Sequence, residues 1–238
     1  MSRSLLPLRR VVLGLSLGIA GSTNAALTTS FSGGVLTVTS DAADAVVVTC
    51  GLFIPRAPTD TVAVNGLNVT GSPLCNQVTS VVVNGGPGAN TIDLGGMLAT
   101  DFVALTSTTL NGGADADSIT GSFAADTVVG GTGNDTIALG AGNDTSIWNN
   151  GDNTDTVADG GGDDRQVVNG AAAGDTMTIA SGTAPVEVRF ARTNLVPFTV
   201  DLTDVETLEV NGLDGDDTIS AEGLAAGLIT LALNGGNG

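Results

Sequence analysis

The sequence contains no lysine, no histidine and no tyrosine, and all seven of its basic residues are arginine. With 25 Asp and Glu residues, the net charge is −18. This balance argues against nucleic acid or an anionic membrane surface as a partner, because both attract cationic patches. The missing His and Lys exclude His-based triads, zinc–His centres, Schiff bases and Walker-type phosphate loops. We therefore expect a protein that is not an enzyme and that binds cations.

Few charges do not make this chain disordered. Charged residues are 13% of the sequence and hydrophobic residues 42%, whereas disordered acidic chains are poor in apolar and β-branched residues. Frequent Val, Ile, Leu and Thr, separated by small polar turn residues, favour strands over helices. At 238 residues the chain is long enough for one or two domains. The composition predicts an all-β protein.

Residues 1–25 have the pattern of a signal peptide. Arg3, Arg9 and Arg10 precede ten apolar residues at 11–20, and residues 23–25 offer a small-residue cleavage site. A membrane anchor is the alternative, but a span needs about 20 apolar residues. The pattern predicts a secreted or cell-surface protein, with the periplasm as the other location. Paired Arg9 and Arg10 leave open whether export uses the general or the twin-arginine route.

The two cysteines, Cys50 and Cys75, lie in a segment of short alternating runs. In an oxidising compartment an isolated pair predicts one disulfide, and two buried free thiols are the alternative. Runs at 35–39, 45–48 and 61–64 read as strands separated by turn residues. We interpret residues 26–80 as an N-terminal β module with a disulfide.

From residue 81 to about 178 the sequence repeats every nine residues. Blocks counted from Gly112 read GGADADSIT, GSFAADTVV, GGTGNDTIA and LGAGNDTSI. The sixth places hold Asp117, Asp126, Asp135 and Asp144, and the eighth places hold Ile119, Val128, Ile137 and Ser146. A period of this length predicts a solenoid in which two blocks close a coil of 18 residues and each apolar eighth residue points inward. The frame weakens at 148–156 and returns, shifted by two, at 160–164.

Residues 18 apart are expected to stack on adjacent coils. This spacing pairs Asp117 with Asp135, Asp126 with Asp144, and Asp135 with Asn153. Stacked carboxylates repel each other, yet residues 112–175 contain 11 Asp and a single basic residue, Arg165. A hard dication with oxygen ligands would compensate this charge, and calcium tolerates flexible carbonyl-rich cages better than magnesium does.

The block at 130–138, GGTGNDTIA, resembles the calcium-binding nonapeptide of the haemolysin-type (repeats-in-toxin, RTX) family. The resemblance implies a parallel β-roll with calcium held in its turns by sixth-place Asp and by turn backbone. Carried over, the implied metal-site residues are Asp117, Asp126, Gly131, Gly133, Asn134, Asp135, Gly142, Asn143 and Asp144. The chain departs from the pattern at the fourth places Asp115 and Ala124 and at the first place Leu139. It also departs through its N-terminal signal, which family members exported by type I systems usually lack.

The combined prediction is an exported all-β protein, a parallel β-roll or β-helix, that binds calcium ions and folds with them. Residues 179–238 read as further β-solenoid: the phrase at 208–219 repeats the motif, and 231–238 begin another copy, which suggests a truncated chain. Two alternatives stay open. One is a metal-free surface or adhesive β-solenoid, and the other is the N-terminal part of a larger secreted enzyme or toxin.

Overall fold

The computed structural model describes residues 26–51 and 60–237, and within these ranges the chain forms two β-sheets and no α-helix. The predicted signal peptide lies outside the described residues. One 3₁₀ turn, Cys75–Gln77, is the helical element of the described part. No helix long and apolar enough to cross a membrane is found among these residues.

The strands are numbered along the chain and divide between sheets A and B. Sheet A contains, in spatial order, β1 (Thr28–Ser32), β2 (Val35–Thr39), β6 (Ser80–Asn84), β8 (Ser107–Ala114), β10 (Ala125–Thr132), β12 (Thr145–Trp148), β14 (Arg165–Asn169), β18 (Thr207–Asn211) and β20 (Thr230–Asn234). Sheet B contains β19 (Thr218–Gly223), β15 (Thr176–Ser181), β16 (Val188–Arg192), β17 (Phe198–Thr203), β13 (Asp155–Ala158), β11 (Thr136–Ala138), β9 (Ser118–Thr120), β7 (Thr91–Asp93), β3 (Ala45–Cys50), β4 (Val62–Val64) and β5 (Leu67–Asn68).

From β6 to β14 the chain alternates between the two sheets, so each coil adds one strand to sheet A and one to sheet B. From β2 to β20 all neighbours in sheet A are parallel. Antiparallel pairing between strands is confined, in the described part, to the β1–β2 hairpin, the β3–β4–β5 excursion and the β15–β16–β17 meander, and an isolated antiparallel bridge joins Thr61 and Leu74. The predicted all-β parallel roll is confirmed.

The strand register shows where the nine-residue frame holds. Thr127 pairs with Thr145 and Thr136 with Ser118, a step of 18 residues in both sheets. In the next coil Thr136 pairs with Thr156, a step of 20. The two extra residues therefore lie in the turn between β12 and β13, which explains the shifted frame. The expected stacking of Asp135 on Asn153 is wrong, because this insertion brings Asp155 to that place.

The core runs between the sheets as stacked columns of side chains. Ile119, Val128 and Ile137 are buried, as their eighth-place positions predict. Ser146 follows Val128 in register and is also buried, while the following residue, Ile147, is only partly buried. The strand register therefore determines which side chain points inward at this place, and it buries Ser146 although the neighbouring Ile147 is more hydrophobic.

The N-terminal segment belongs to the same two sheets as the repeats. Strand β2 pairs in parallel with β6, and β3 pairs in parallel with β7. Cys50 and Cys75 form a disulfide with an S–S distance of 2.04 Å, which ties the end of β3 to the 3₁₀ turn. The disulfide thus closes the excursion that leaves the roll after its first coil.

Candidate metal centre

The repeat aspartates face the interior of the roll. The sixth and eighth residues of a block are two apart, so near a strand they lie on the same face. Asp135 is 2% exposed, like Ile137 two residues later. These side chains stack into two columns at the turns that lead into the sheets. Column B consists of Asp44, Asn90, Asp117, Asp135 and Asp155, and column A consists of Thr108, Asp126, Asp144, Asp164 and Glu206.

Hydrogen bonds join successive members of column B by one repeated contact. The backbone N–H of each residue donates to the side-chain Oδ1 of the residue one coil later. The distances are 2.9 Å for Asp44 to Asn90, 2.6 Å for Asn90 to Asp117, 2.7 Å for Asp117 to Asp135 and 2.8 Å for Asp135 to Asp155. Oδ1 therefore has a fixed structural role in column B.

Column A repeats this geometry on the other side of the roll. The N–H of Asp126 donates to Asp144 Oδ1 at 2.7 Å, and the N–H of Asp144 donates to Asp164 Oδ1 at 2.6 Å. At the ends of the column, Thr108 donates its hydroxyl to Asp126, and Glu206 accepts from the N–H of Asp164 at 2.8 Å. The two columns place one carboxylate over another along the length of the repeats.

The second carboxylate oxygen of five aspartates has no protein donor. Oδ2 is buried without a hydrogen-bond partner in Asp117, Asp135, Asp144, Asp164 and Asp217. Buried polar atoms are almost always satisfied, and an unpartnered one costs about 1–3 kcal/mol, more if it is charged. Because the same atom lacks a donor in five aspartates, the pattern indicates that Oδ2 binds a ligand or a proton.

Burial raises the pKa of six aspartates in the two columns: Asp117, Asp126, Asp135, Asp144, Asp155 and Asp164. Burial is the largest cause in each case, and it raises the pKa of Asp135 and Asp144 to about 6 and that of Asp155 and Asp164 to about 7. Neighbouring carboxylates raise these pKa values further, Asp117 and Asp152 acting on Asp135. Because the site disfavours negative charge so strongly, it would gain from any cation placed beside Oδ2.

The hydrogen bonds of Asn90 indicate which groups surround Oδ2 of the aspartates in column B. Its Nδ2 occupies the place of Oδ2 in this column and donates to three carbonyl oxygens, those of Gly88 at 2.7 Å and of Gly86 and Gly112 at 3.2 Å. One coil later Asp117 takes the same place. A methyl group on Gly112 would collide with both Asp117 Oδ2 and the carbonyl oxygen of Gly130. In the turns that carry Asp, the carboxylate Oδ2 therefore lies where Asn90 places an N–H donor that faces carbonyl oxygens.

Two other aspartates are compensated by protein donors. Asp126 receives the N–H and the hydroxyl of Ser122, at 2.5 Å on Oδ2 and 2.9 Å on Oδ1. Asp175 pairs with the buried Arg192 guanidinium at 3.3 Å and accepts the N–H of Ala171 at 2.7 Å. Protein donors thus already occupy both oxygens of the predicted ligand Asp126, in contrast to Asp117, Asp135 and Asp144.

The remaining predicted ligands lie in the turns. Gly131 and Gly142 have φ of +97° and +138°, a backbone conformation that glycine adopts without strain. A Cβ at Gly133 would collide with the carbonyl oxygen of Asp115 one coil earlier, so the close approach of these turns requires glycine. The side chains of Asn134 and Asn143 are exposed, and they accept the N–H of Thr154 at 3.4 Å and of Asp163 at 3.2 Å. The two asparagines therefore bridge adjacent coils on the outer side.

Sequence reasoning missed Asp155, Asp159 and Asp164. Asp144, Asp159 and Asp164 each offer a carboxylate oxygen within 4.8 Å of the others. Asp159 follows β13 in the place that Leu139 holds one coil earlier, because Ala158 pairs with Ala138. A two-residue shift of the frame after β12 would have found Asp155 and Asp164, since they lie 20 residues after Asp135 and Asp144, but not Asp159, since Leu139 holds the corresponding place.

The donor set fits a hard dication. It consists of carboxylate oxygens and turn carbonyls, without nitrogen or sulfur ligands among the column residues, and calcium prefers six to eight such oxygens. Asp117, Asp135, Asp144 and Asp164 would contribute Oδ2, the atom that lacks a donor. Magnesium fits less well because it demands near-ideal octahedral geometry.

Comparison with known proteins identifies the repeated segment. The model of the RTX calcium-binding nonapeptide repeat matches residues 111–146 in four copies. This match contains Asp117, Asp126, Asp135 and Asp144 and ends before Asp155 and Asp164. No curated protein and no solved structure matches the chain. The resemblance expected from the sequence is confirmed for these 36 residues.

Proposed function

We propose that this protein, whose residues 111–146 are RTX calcium-binding nonapeptide repeats, takes up several calcium ions along its two aspartate columns and completes its folding as they bind. The observation that carries the proposal is the row of buried Oδ2 atoms without a donor, at Asp117, Asp135 and Asp144. Each Oδ2 would become a ligand, while Oδ1 continues to hold the neighbouring coil. The ion would thereby satisfy the atom that the protein itself leaves unsatisfied.

The charge balance supports cation binding at these turns over a purely structural role for their aspartates. Residues 112–175 contain 11 Asp and one basic residue, Arg165, whose contact is with Glu209 at 3.0 Å. Arg192, which follows this segment, pairs with Asp175, an aspartate that belongs to neither column. Ionised aspartates inside columns A and B therefore repel one another, and a bound dication would convert that repulsion into attraction.

Coupling of binding to folding follows from where the ligands lie. The residues that would share an ion belong to adjacent coils, so the site exists only when those coils are stacked. Binding free energy is then folding free energy, as in other metal-dependent small folds. We propose that the metal-free repeats are loosened by repulsion between aspartates and close into a roll as calcium rises.

We further propose that the protein acts outside the cell as a binding protein without catalytic activity. The Cys50–Cys75 disulfide favours an oxidising compartment. The signal-like pattern of residues 1–25 agrees with export. Extracellular calcium modules typically bind with Kd of about 10⁻⁴–10⁻³ M, so repeats of this class would stay loose before export and close afterwards.

Calorimetry and circular dichroism on chelator-stripped protein test the proposal. Calcium is titrated into the purified chain, and the heat of binding and the β-sheet signal are followed together. We expect two or more bound ions and a β signal that grows in step with binding, with little response to magnesium at the same concentration. A full β signal at the start, with no heat up to about 10 mM calcium, would leave a metal-free solenoid instead.

A further inference from the structure

The carboxylates of Asp144, Asp159 and Asp164 form a cluster that the repeat pattern does not anticipate. The match to the calcium repeat ends at residue 146, and Asp159 and Asp164 lie beyond it. The three side chains each bring an oxygen within 4.8 Å of the others. In the matched copies the position equivalent to Asp159 is held by Gly112, Gly121, Gly130 or Leu139, none of which offers a side-chain ligand.

Two of the three carboxylates are almost completely buried. Asp144 and Asp164 are each 1% exposed, and Oδ2 of both lacks a hydrogen-bond donor. Their Oδ1 atoms are engaged, that of Asp144 by the N–H of Asp126 and that of Asp164 by the N–H of Asp144. The orphaned oxygens are therefore the atoms free to meet a ligand at this cluster.

Asp159 is held toward the cluster by its own turn. Its Oδ1 accepts the backbone N–H of Gly160 and that of Gly161, the latter at 2.8 Å. One of its carboxylate oxygens lies within 4.8 Å of a carboxylate oxygen of Asp164, and the residue remains partly exposed. The turn thus fixes a third carboxylate at the opening of the cluster, where solvent has access.

We propose that Asp159 adds a third carboxylate to the calcium site of Asp144 and Asp164, a side-chain ligand that the matched repeats lack. The inference rests on the proposed function in taking calcium as the ion and Asp144 and Asp164 as two of its ligands. Three carboxylates concentrate more negative charge than the paired aspartates of columns A and B do elsewhere, and ligand charge raises calcium affinity. This site fills first as calcium rises, and it joins the coil of β12 to the coil of β14.

Conservative variants of the full chain test the site. In Asp159→Asn, the remaining Oδ1 still accepts the glycine N–H groups, so the turn keeps its hydrogen bonds while the carboxylate is lost. We expect calorimetry with calcium to show at least a tenfold weaker tightest site, with the weaker sites unchanged. Asp163→Asn is the matched control, because it removes the same charge from an exposed residue of the same turn.

A second substitution keeps the test independent of folding defects. Asp164→Asn retains Oδ1 for the N–H of Asp144, and it should weaken the same ion as Asp159→Asn does. The double variant should lose one ion and not two, because both residues serve one site. Near-UV circular dichroism in calcium verifies the fold of each variant.

The outcomes separate this inference from the proposed function. If the wild type binds no calcium, the proposed function fails. If the wild type binds calcium and Asp159→Asn binds as many ions with the same affinities, the proposed function stands and the three-carboxylate site is rejected.

Discussion

The backbone N–H of Asn90 donates to Oδ1 of Asp117 at 2.6 Å, so an amide and a carboxylate occupy successive places in one column. Asn90 directs its NH₂ group at three turn carbonyls, whereas Asp117 directs an unpartnered oxygen at the equivalent place. The chain thus shows, one coil apart, a turn whose side-chain NH₂ group is satisfied by carbonyls and a turn that leaves a buried oxygen without a donor, where we propose that calcium binds.

Replacing Asp135 with asparagine should convert a calcium-dependent turn into one like that of Asn90. Oδ1 remains to accept the N–H of Asp117, and the new NH₂ group meets turn carbonyls. We expect the metal-free variant to be more stable than the metal-free wild type by about 1–3 kcal/mol, because an unsatisfied buried oxygen is removed. The variant should also bind one calcium ion fewer. Urea unfolding with and without calcium measures both effects.

Asp135→Ala provides the comparison for this prediction. It removes the acceptor for the N–H of Asp117 as well as the carboxylate, so it should destabilise the protein in the presence of calcium. If the alanine and asparagine variants behave alike in both conditions, the equivalence of Asn90 and Asp135 does not hold.

The metal-free protein should be more stable in mild acid than in mild base. Burial raises the pKa of Asp135 and Asp144 to about 6 and that of Asp155 and Asp164 to about 7, above the value of about 4 in an unfolded chain. The folded state therefore binds more protons than the unfolded state between these values, and stability falls as pH rises. Thermal unfolding in chelator should show a lower Tm at pH 8 than at pH 5.

Saturating calcium should abolish or reverse this trend, because the ion competes with the proton for Oδ2. A metal-free protein whose Tm rises between pH 5 and pH 8 would contradict the assignment of buried, charge-disfavouring aspartates to the two columns.

Arg192 should stabilise the roll without affecting calcium binding in the repeats. Its guanidinium pairs with buried Asp175 at 3.3 Å, contacts the Val196 carbonyl oxygen and lies 4.8 Å from the ring centre of Phe198. Arg192→Met leaves Asp175 buried without its cation, which typically costs about 3–5 kcal/mol. Chemical denaturation should reveal that loss both with and without calcium. An unchanged midpoint would show that Asp175 finds another partner.

Much of this architecture could be predicted from the sequence, because in a solenoid the spacing alone determines which residues stack. Ile119, Val128 and Ile137 in the core and the 18-residue step between Asp117 and Asp135 follow from the period of nine. The period fails where the chain inserts two residues before Asp155, and a fixed frame then pairs Asp135 with the wrong residue. The β16–β17 hairpin also interrupts sheet B without any signal in the repeat.

The inward direction of the aspartates was accessible from the sequence but depended on geometry. The spacing of two between Asp135 and Ile137 places them on one face only if the strand geometry extends back into the turn. The spacing could not reveal that Oδ1 accepts a backbone N–H while Oδ2 lacks a donor. Nor could it reveal that Ser122 compensates Asp126, because both depend on distances of a few tenths of an ångström.

Reduction of the Cys50–Cys75 disulfide should lower stability without changing the number of bound ions. The bridge closes a loop of about 25 residues and is expected to contribute about 3 kcal/mol through the entropy of the unfolded chain. The disulfide lies at the first coil, outside the calcium repeats at 111–146. Calorimetry on the reduced or Cys50→Ala/Cys75→Ala protein should therefore give the wild-type stoichiometry. A lost ion would show that the first coil contributes to a calcium site.

A crystal structure of the protein grown in calcium, with anomalous difference maps to locate the ions, would show whether the two aspartate columns bind calcium. The proposed function predicts peaks within bonding distance of Oδ2 of Asp117, Asp135, Asp144 and Asp164, with Oδ1 still accepting the N–H of the preceding coil. Maps without ions at these oxygens, in a protein folded as described here, would contradict it and leave the aspartates as elements of a metal-free turn.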